Sequence, residues 1–430
     1  MFIQEVMAFI WQTVTDEYNR FYKLSEYINA DRLYIELCNE IQKRKETLLV
    51  NLSENEIIRR LVTTGCSHCM NNGVFAGCSM CDFLSENVKV LAKISALRRK
   101  SEELYAKLII YSLTPENELP MTPTLMENLT CFDMFDEFEM PMSVLSTIFE
   151  KNIVYSSKPF SFEFVARADN ITKEKIELLR KYIGKRVIVK IGIEVSNEWI
   201  RNHWINKGIT TAQVIKAVDL IHSVGWKVNA FLIIGIPGLT ELQSLELFYH
   251  SYIDMLQLGF DRVQIAPLLR KERTMQGFIY RELINNEILY NAGLVNEGQT
   301  GWPHLLTVLY AIKRIWEEDE SNLEKVIFTN QDFHYYFNIE EDIYGKRYSE
   351  EFKKIHEFID TYQFEYLQKA IEAFEKNDVG SHFNNLLDKQ VSAGDINQTL
   401  QLIAGEISKT IWKEGGDEKF DSFLNENLCI

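Results

Sequence analysis

The 430-residue sequence lacks an apolar run long enough to cross a membrane, and no basic segment precedes its first apolar residues. It is also short of positive charge, with 46 lysines and arginines against 62 acidic residues and a formal net charge of −16. This balance argues against a broad nucleic-acid-binding surface. The apolar content of 46% and the aromatic content of 12% argue against disorder. We therefore expect a cytoplasmic globular protein without membrane contact.

Cysteine is scarce outside one stretch, which holds four of the seven cysteines within sixteen residues. Cys66, Cys69, Cys78 and Cys81 follow a β-branched apolar run, so the first of them is expected where a strand ends. All four would fit zinc as a structural knuckle, with the spacing C-x2-C-x8-C-x2-C. Three of them, spaced C-x11-C-x2-C, would instead hold a [4Fe–4S] cluster with one iron left open. The cysteines alone leave both interpretations open, and a disulfide is the weakest because no signal peptide is recognised.

The rest of the chain predicts an α/β fold, because short apolar runs alternate with helical patterns as in a parallel sheet. Strands are predicted at 57–64, 107–112, 160–166, 187–193, 228–234 and 262–267, and helices at 143–151, 172–182, 210–223 and 240–257. We expect three regions: an N-terminal helical segment at 1–50, a partial (β/α)6 TIM-like barrel at 51–285, and a helical C-terminal extension at 286–430. Residues 116–142 are expected to be an insertion over the strand ends. Active sites of such barrels lie at the carboxyl ends of strands, where the cysteine loop is predicted.

Six short motifs stand at the predicted strand ends. They are Thr63–Cys66, Cys78–Cys81, Tyr111–Pro115, Glu163–Arg167, Gly192–Glu194 with Asn206–Gly208, and Gly235–Glu241. In their order and spacing they resemble the radical S-adenosylmethionine (SAM) superfamily. The resemblance is greatest to the group containing the Elongator catalytic subunit, oxygen-independent coproporphyrinogen oxidase and the archaeosine-forming enzyme. It implies the radical SAM barrel fold for about half of the chain.

The resemblance also implies the cofactors and the residues that bind them. Cys66, Cys78 and Cys81 would hold the [4Fe–4S] cluster, with Cys69 as the competitor of Cys66 through the spacing C-x8-C-x2-C. The residues implied for SAM are Ser112 at its amino group, Glu163 at its ribose, Lys207 at its carboxylate, Glu194 at the end of the fourth strand, and the backbone of Gly235 and Pro237 beside its adenine. Reductive cleavage of SAM would then supply a 5′-deoxyadenosyl radical that abstracts hydrogen from the substrate.

The sequence departs from the family pattern at two positions. Ser112 and Leu113 replace a glycine pair, and Phe231 stands where relatives have an acidic residue. The residues alone also leave other roles open for three of the predicted contacts. Glu163 would equally fit the pattern as a carboxylate that faces outward from its strand. Glu194 would suit an ion pair with Arg167, and Lys207 a solvent-exposed position.

We expect an enzyme that acts on a small molecule or a peptide, with flavodoxin or ferredoxin as the reductant. A tRNA-modifying radical SAM enzyme is the alternative within the family, although the acidic charge does not favour it. The alternative of a different class is a non-catalytic zinc-knuckle binding protein. The reaction subclass and the catalytic residues remain undetermined by the sequence.

Overall fold

The computed structural model describes residues 1–43, 49–53, 56–71, 73–113, 126–150, 161–183, 186–295 and 301–426. Three helices form the N-terminal part as predicted: α1 (Phe2–Ile10), α2 (Gln12–Glu26) and α3 (Ala30–Gln42). The side chain of Asn29 accepts a hydrogen bond from the backbone N–H of Arg32 and so caps α3. No helix within the described ranges is both long and apolar enough to span a bilayer.

An eight-stranded sheet forms the centre of the molecule, and its strands lie side by side in chain order. They are β1 (Leu49–Ser53), β2 (Glu56–Arg60), β5 (Met126–Thr130), β6 (Ser161–Ala166), β7 (Val187–Glu194), β8 (Lys227–Ile234), β9 (Arg262–Pro267) and β10 (Val326–Phe328), while β3 (Met70–Asn71) and β4 (Val74–Phe75) form a separate hairpin. Only the pair β1–β2 is antiparallel among the described strands of this sheet. The predicted α/β class and its parallel (β/α) arrangement are confirmed.

Helices join the consecutive parallel strands. They are α4 (Val88–Lys100) and α5 (Glu102–Leu113) before β5, then α6 (Met142–Glu150), α7 (Lys173–Ile183), α8 (Thr211–Ser223) and α9 (Glu241–Gln257). Thr210 and Thr240 begin α8 and α9 with capping boxes, each exchanging hydrogen bonds with a glutamine three residues later. Because the local sequence determines such caps, α8 and α9 start within one residue of their predicted positions.

The strand predicted at 107–112 is wrong, because these residues belong to helix α5. Leu104, Tyr105, Leu108 and Ile109 recur at helical spacing, and a short apolar run does not by itself distinguish a strand from a buried helix. The second parallel strand is instead β5, whose sequence Met-Glu-Asn-Leu-Thr carries little strand signal. It lies between β2 and β6, within the segment predicted to be an insertion, of which residues 116–125 lie outside the described ranges.

The C-terminal part is largely helical, as predicted. Its helices are α10 (Met275–Glu282), α11 (Glu287–Asn291), α12 (Leu305–Glu318), α13 (Asn330–Tyr344), α14 (Ser349–Thr361), α15 (Phe364–Glu375), α16 (Asp378–Gln390), α17 (Ile396–Trp412) and α18 (Gly416–Leu424). The sequence did not predict β10, which pairs in parallel with β9 from within this region. The sheet therefore extends beyond the six parallel strands expected at 51–285.

The two faces of the sheet pack against different parts of the protein. Helices α3 to α9 and helices of the C-terminal part cover the outer face. The alternating apolar residues of β6 to β10 on this face belong to one large core. A second core joins α1, α10, α17, α18 and the β3–β4 hairpin. It reaches the carboxyl end of the sheet through Val195, Ile233 and Ile236, so N-terminal and C-terminal helices together cover the edge where the motifs lie.

Candidate active site

The carboxyl ends of the parallel strands meet at one edge, and the cysteine loop leaves β2 at that edge. Within the loop, β3 and β4 pair as a hairpin between Cys69 and Cys78, with Met70 opposite Phe75. Phe75 is buried and packs against the rings of Trp11 and Tyr18 at centroid distances of 5.6 and 5.2 Å. The segment between Cys69 and Cys78 therefore contains a hairpin, and the packing of Phe75 against Trp11 and Tyr18 anchors the cysteine loop.

The hairpin folds the two C-x2-C halves of the loop onto each other. The thiol of Cys69 lies beside those of Cys66 and Cys81. Gly77 packs directly against Cys69, because a Cβ built on Gly77 would lie 2.7 Å from the Cys69 sulfur. Among the described residues, no three His, Cys, Asp or Glu side chains converge as ligands of a single metal ion.

Positive charge stabilises the thiolate forms of two of these cysteines. The hydrogen bond from Cys69 lowers the pKa of the Cys66 thiol to about 6, against the effect of burial and with the help of Arg167 and His68. Burial alone would raise the pKa of Cys78, but Lys207 and the hydrogen bond from His68 hold it below its usual value. Because iron binds thiolates, this donor set suits an anionic iron–sulfur cluster.

Arg167 and Lys207 reach the cysteine loop from the ends of neighbouring strands. Arg167 follows β6 and is buried, with its Nε and Nη2 each 3.1 Å from the Asp169 carboxylate. Lys207 is half-buried, with 12% of its side chain exposed, and donates to Glu194 Oε1 at 2.8 Å. Lys207 is therefore not solvent-exposed, and the pairing of Glu194 with Arg167 that the sequence left open is not what the structure shows.

Glu194 ends β7 in a backbone conformation that few residues adopt. Its φ of 68° lies in the left-handed region, which is costly for a residue with a Cβ. One carboxylate oxygen binds Lys207, and the other, Oε2, is buried without a hydrogen-bond partner in the described structure. A Cβ on Gly192 would lie 2.6 Å from Lys207 Nζ, so this position leaves room for the pair. An unsatisfied buried carboxylate oxygen is a candidate ligand contact.

Glu163 lies on the inner face of β6, the face opposite the helix-covered outer face, and forms an ion pair with Lys190 of β7. Its side chain is buried, which excludes the outward-facing carboxylate that the sequence left open. Burying an ion pair costs desolvation free energy that apolar packing would avoid. The pair therefore adds little to the stability of the fold by itself.

The loop that follows β5 brings three acidic side chains to the same edge, and sequence reasoning missed them. Glu139 is fully buried and accepts hydrogen bonds from the N–H groups of Phe132 and Asp133 at 2.9 and 2.7 Å. Asp136 accepts from the N–H of Ser67, directly after Cys66, at 3.3 Å. Burial raises the pKa of Asp133 to about 7, with contributions from neighbouring acidic groups. The loop therefore places carboxyl groups near the first cysteine, and burial favours the protonated forms of Asp133 and Glu139.

Ser112 does not lie at this edge, since it belongs to helix α5. Its hydroxyl donates to the carbonyl of Ile109 at 2.6 Å and accepts from the N–H of Val62 at 3.4 Å. The proposed turn at Tyr111–Pro115 was assigned to the end of a strand that does not exist, and Thr114 and Pro115 lie outside the described residues. The acidic loop after β5 occupies the strand-end position that the prediction gave to Ser112.

The turn after β8 contains Gly235 and Pro237, both predicted to approach SAM. Gly235 has φ of 102°, and a Cβ there would lie 2.4 Å from Pro303 of the C-terminal part. The carbonyl of Pro237 accepts from the indole N–H of Trp204 at 2.8 Å. Packing contacts thus account for the conformation of the turn. Its role beside the adenine of SAM stays a prediction.

Comparison with known proteins gives distant relatives. No family model matches the chain. An uncharacterised protein of Methanocaldococcus jannaschii is 26% identical over 223 residues, which is 52% of this chain and 58% of that protein. Archaeosine synthase subunit beta of Thermococcus kodakarensis is 26% identical over 129 residues, which is 26% of this chain and 40% of that protein. The chain thus spans about half the length of these curated relatives.

Comparison with solved structures also gives distant similarities. A radical SAM methyltransferase of Kitasatospora setae, solved with cobalamin and a [4Fe–4S] cluster, is 16% identical over 54% of this chain and 40% of that one, with a TM-score of 0.34. The radical SAM enzyme coproporphyrinogen III oxidase of Escherichia coli is 11% identical over 46% of this chain and 41% of that one, also with a TM-score of 0.34. The chain is similar to radical SAM enzymes, as its motifs predicted.

Proposed function

We propose that the chain is a radical SAM enzyme that holds a [4Fe–4S] cluster on Cys66, Cys78 and Cys81. The observation that carries the proposal is the cysteine loop at the carboxyl edge of the sheet, where Arg167, Lys207 and His68 favour the thiolates of Cys66 and Cys78. Cys66 is preferred to Cys69 as the first ligand because Thr64 and Gly65 lead directly from the end of β2 into it, as in the family that the motif resembles.

The remaining polar groups of this edge suit the parts of SAM. Asp133 and Asp136 offer carboxyl oxygens to the amino group, and Lys207 supplies positive charge for the carboxylate. Glu163 is placed to accept hydrogen bonds from the ribose hydroxyls, and the free Oε2 of Glu194 is a further acceptor. When bound, the cluster and SAM would together supply a 5′-deoxyadenosyl radical for hydrogen abstraction.

The chain's own residues prepare the site for that chemistry. The second core, with α1, α10 and α17, packs over the cysteine loop and keeps water from it. The ion pairs Glu163–Lys190 and Glu194–Lys207 fix side chains on the inner face before a ligand arrives, which lowers the ordering cost of binding. In this scheme residues 51–285 form the catalytic part, and the helices at 1–50 and 286–430 cover it.

The substrate we propose is a small molecule or a peptide, with flavodoxin or ferredoxin as the electron donor. The net charge of −16 supports this choice over tRNA. Binding of bulk tRNA at two salt concentrations distinguishes the two classes. Affinity that falls steeply with salt would favour a tRNA-modifying enzyme, and salt-independent weak binding would favour the smaller substrate.

The test of the cluster is anaerobic reconstitution with iron and sulfide, followed by iron and zinc analysis and by assay of 5′-deoxyadenosine formation from SAM under dithionite. The wild type is expected to bind about four irons per chain. Cys66→Ala and Cys78→Ala are expected to lose most of the iron and the SAM cleavage. Cys38→Ala, which changes a partly exposed cysteine of α3, is the matched control and is expected to retain both.

Two outcomes would contradict the proposal. A colourless wild type that holds one zinc ion per chain would establish the zinc-knuckle alternative. Full SAM cleavage by Cys78→Ala would show that the assigned ligands are wrong. Loss of iron in Cys69→Ala together with its retention in Cys66→Ala would exchange the first ligand and leave the rest of the proposal intact.

A further inference from the structure

A buried lysine of α7 is hydrogen-bonded to the acidic loop, residues 133–140, at two places. Lys175 Nζ donates to the backbone carbonyls of Phe135 at 2.7 Å and Met140 at 3.1 Å, and it lies 3.0 Å from Oε2 of Glu137. Only 3% of Lys175 is exposed. An ammonium group has three N–H donors, and these three contacts can use all of them. The polar end of Lys175 is therefore committed to this loop.

The acidic loop also contacts the start of the cysteine loop. Asp136 accepts from the N–H of Ser67 at 3.3 Å, and Glu139 accepts from the hydroxyl of Thr63. Both acceptors lie, in the chain, between the two carbonyl groups that Lys175 binds. The loop is thus attached to α7 through Lys175 and to the cysteine loop through its own carboxyl groups.

The contacts of Lys175 depend on the conformation of the acidic loop. Burial of an ammonium group costs desolvation free energy, which hydrogen bonds to the two carbonyls and the carboxylate offset. An apolar side chain on this face of α7 would avoid that cost, as Ile176 and Leu179 do in the first core. It could not bind two carbonyl groups that are five residues apart. Lys175 therefore favours one shape of the loop in a way that apolar packing would not.

We propose that Lys175 is a positioning residue, which holds the acidic loop in the shape in which Asp133 and Asp136 contact the amino group of SAM. The inference rests on the proposed function, because it assumes that SAM binds at this edge of the sheet. Phe135 links the lysine to both carboxyl groups. Its carbonyl accepts from Lys175, its N–H donates to Asp133 Oδ1 at 2.9 Å, and Asp136 is the next residue. Without the lysine the segment from Phe135 to Met140 loses both of these attachments, and the carboxyl oxygens move away from the amino group.

The test measures how strongly the enzyme distinguishes SAM from the analogue that lacks only the α-amino group. Calorimetric titration of the reconstituted protein with each compound gives a ratio of two affinities, which does not depend on the fraction of protein that is folded. The wild type is expected to bind SAM about tenfold more tightly than the analogue, because the analogue lacks a charge-assisted hydrogen bond. Lys175→Met is expected to reduce this preference to about twofold at unchanged iron content.

Two further variants separate the role of Lys175 from a general effect on α7. Lys175→Arg, which retains N–H donors, is expected to recover part of the preference for SAM. Lys173→Met is the matched control, since Lys173 lies in the same turn of α7 and forms an exposed ion pair with Glu177. The control is expected to give the wild-type ratio.

A double variant shows whether Lys175 acts through the loop. Asp136→Asn is expected to lower the preference for SAM, and Lys175→Met combined with Asp136→Asn should lower it little further, because both changes affect one contact. Additive losses would overturn the inference, as would a wild-type ratio in fully loaded Lys175→Met. A wild type that binds SAM without preferring it to the analogue would also overturn it. A wild type that assembles no cluster or does not bind SAM would instead refute the proposed function, so the two failures are distinguishable.

Discussion

The two faces of the central sheet carry opposite chemistry on the same strands. The outer face is uniformly apolar and buried, with Phe162, Phe164, Val187, Val189, Ile191, Ile193, Val228, Ala230, Leu232, Ile234, Val263 and Ile265 in one core. The inner face of these strands presents Glu163, Lys190, Glu194, Asn229 and Gln264. Because side chains of a strand alternate between its faces, one sequence encodes both surfaces. The outer face stabilises the fold, and the inner face is available for a ligand.

The difference between the two faces shows which buried groups need a functional explanation. Apolar burial is favourable by itself, whereas buried ion pairs seldom repay their desolvation. The inner face nevertheless holds the pairs Glu163–Lys190 and Glu194–Lys207. It also holds two buried oxygens without partners in the described structure, Oε2 of Glu194 and Oε1 of Gln264. Apolar packing would stabilise the fold better than these groups do, and the proposed SAM contacts offer a reason for their presence.

The largest effect is expected on the outer face, with Ile191→Ala. Ile191 is completely buried in the first core, so its truncation should lower the free energy of unfolding by about 3 kcal/mol. The affinity of the folded protein for SAM should stay within about twofold of the wild type, because the side chain points away from the inner face. Chemical denaturation and calorimetric SAM titration measure the two quantities. A large loss of SAM affinity would show that the faces are not independent.

Glu340→Gln tests a buried carboxyl group that forms no ion pair among the described residues, in contrast to the paired inner face. Burial raises the pKa of Glu340 to about 8 and that of Glu241, its neighbour, to about 7. Their ordinary value is 4.5, so the folded protein retains protons that the unfolded chain releases. The contribution of these two groups to stability should therefore be fully present below about pH 4.5 and be lost as the pH rises through 8.

The variant removes one of the two titrations. Between pH 5 and pH 6.5 the wild type should lose roughly 2 kcal/mol more unfolding free energy than Glu340→Gln does. The two proteins should be almost equally stable at pH 5, where Glu340 is neutral in the folded state. Denaturation curves at both pH values provide the measurement. An equal pH dependence in both proteins would show that Glu340 ionises normally.

Glu163→Gln tests the inner face directly. The substitution keeps the shape of the side chain but replaces a charge-assisted hydrogen bond to the ribose by a neutral one, so SAM affinity should fall about tenfold. Glu365→Gln is the matched control, since Glu365 pairs with Lys369 on the exposed surface of α15. The control should leave SAM affinity unchanged. A loss of thermal stability in Glu163→Gln without a loss of SAM affinity would make the Glu163–Lys190 pair purely structural.

The sequence predicted the parallel alternation because the outer-face residues form clear apolar runs in β6 to β9 and because a threonine cap precedes α9. It placed the second strand wrongly because β5 has no such run and α5 does. That error also placed Ser112 at the end of a strand, whereas it belongs to helix α5. The interpretation of 107–112 used a short apolar stretch without testing its helical spacing.

The sequence predicted those parts of the candidate site in which a motif and its contacts lie close together in the chain. The four cysteines are such a part, because their loop folds back on itself. The partners of these cysteines come from distant strand ends, as Arg167 and Asn206 do, and only the register of the sheet brings them together. His68 stands inside the cysteine loop, but a single histidine in a loop is usually structural, so the sequence gave it no role. Its hydrogen bond to the Asn206 carbonyl reaches a distant strand end, which no local pattern encodes.

The smallest expected effect comes from Gly192→Ala on the inner face. The new methyl group would lie 2.6 Å from Lys207 Nζ and 2.9 Å from Glu194 Oε1, the flexible ends of side chains, which can move apart. Stability should therefore change little, while SAM affinity falls about threefold because the ion pair is displaced. Gly405→Ala in α17 is the control, since its nearest contact would be an ordinary 3.7 Å to Phe420. Equal SAM affinity in both variants would mean that the Glu194–Lys207 pair does not touch the ligand, and the inner face would then bind SAM through Glu163 and the acidic loop alone.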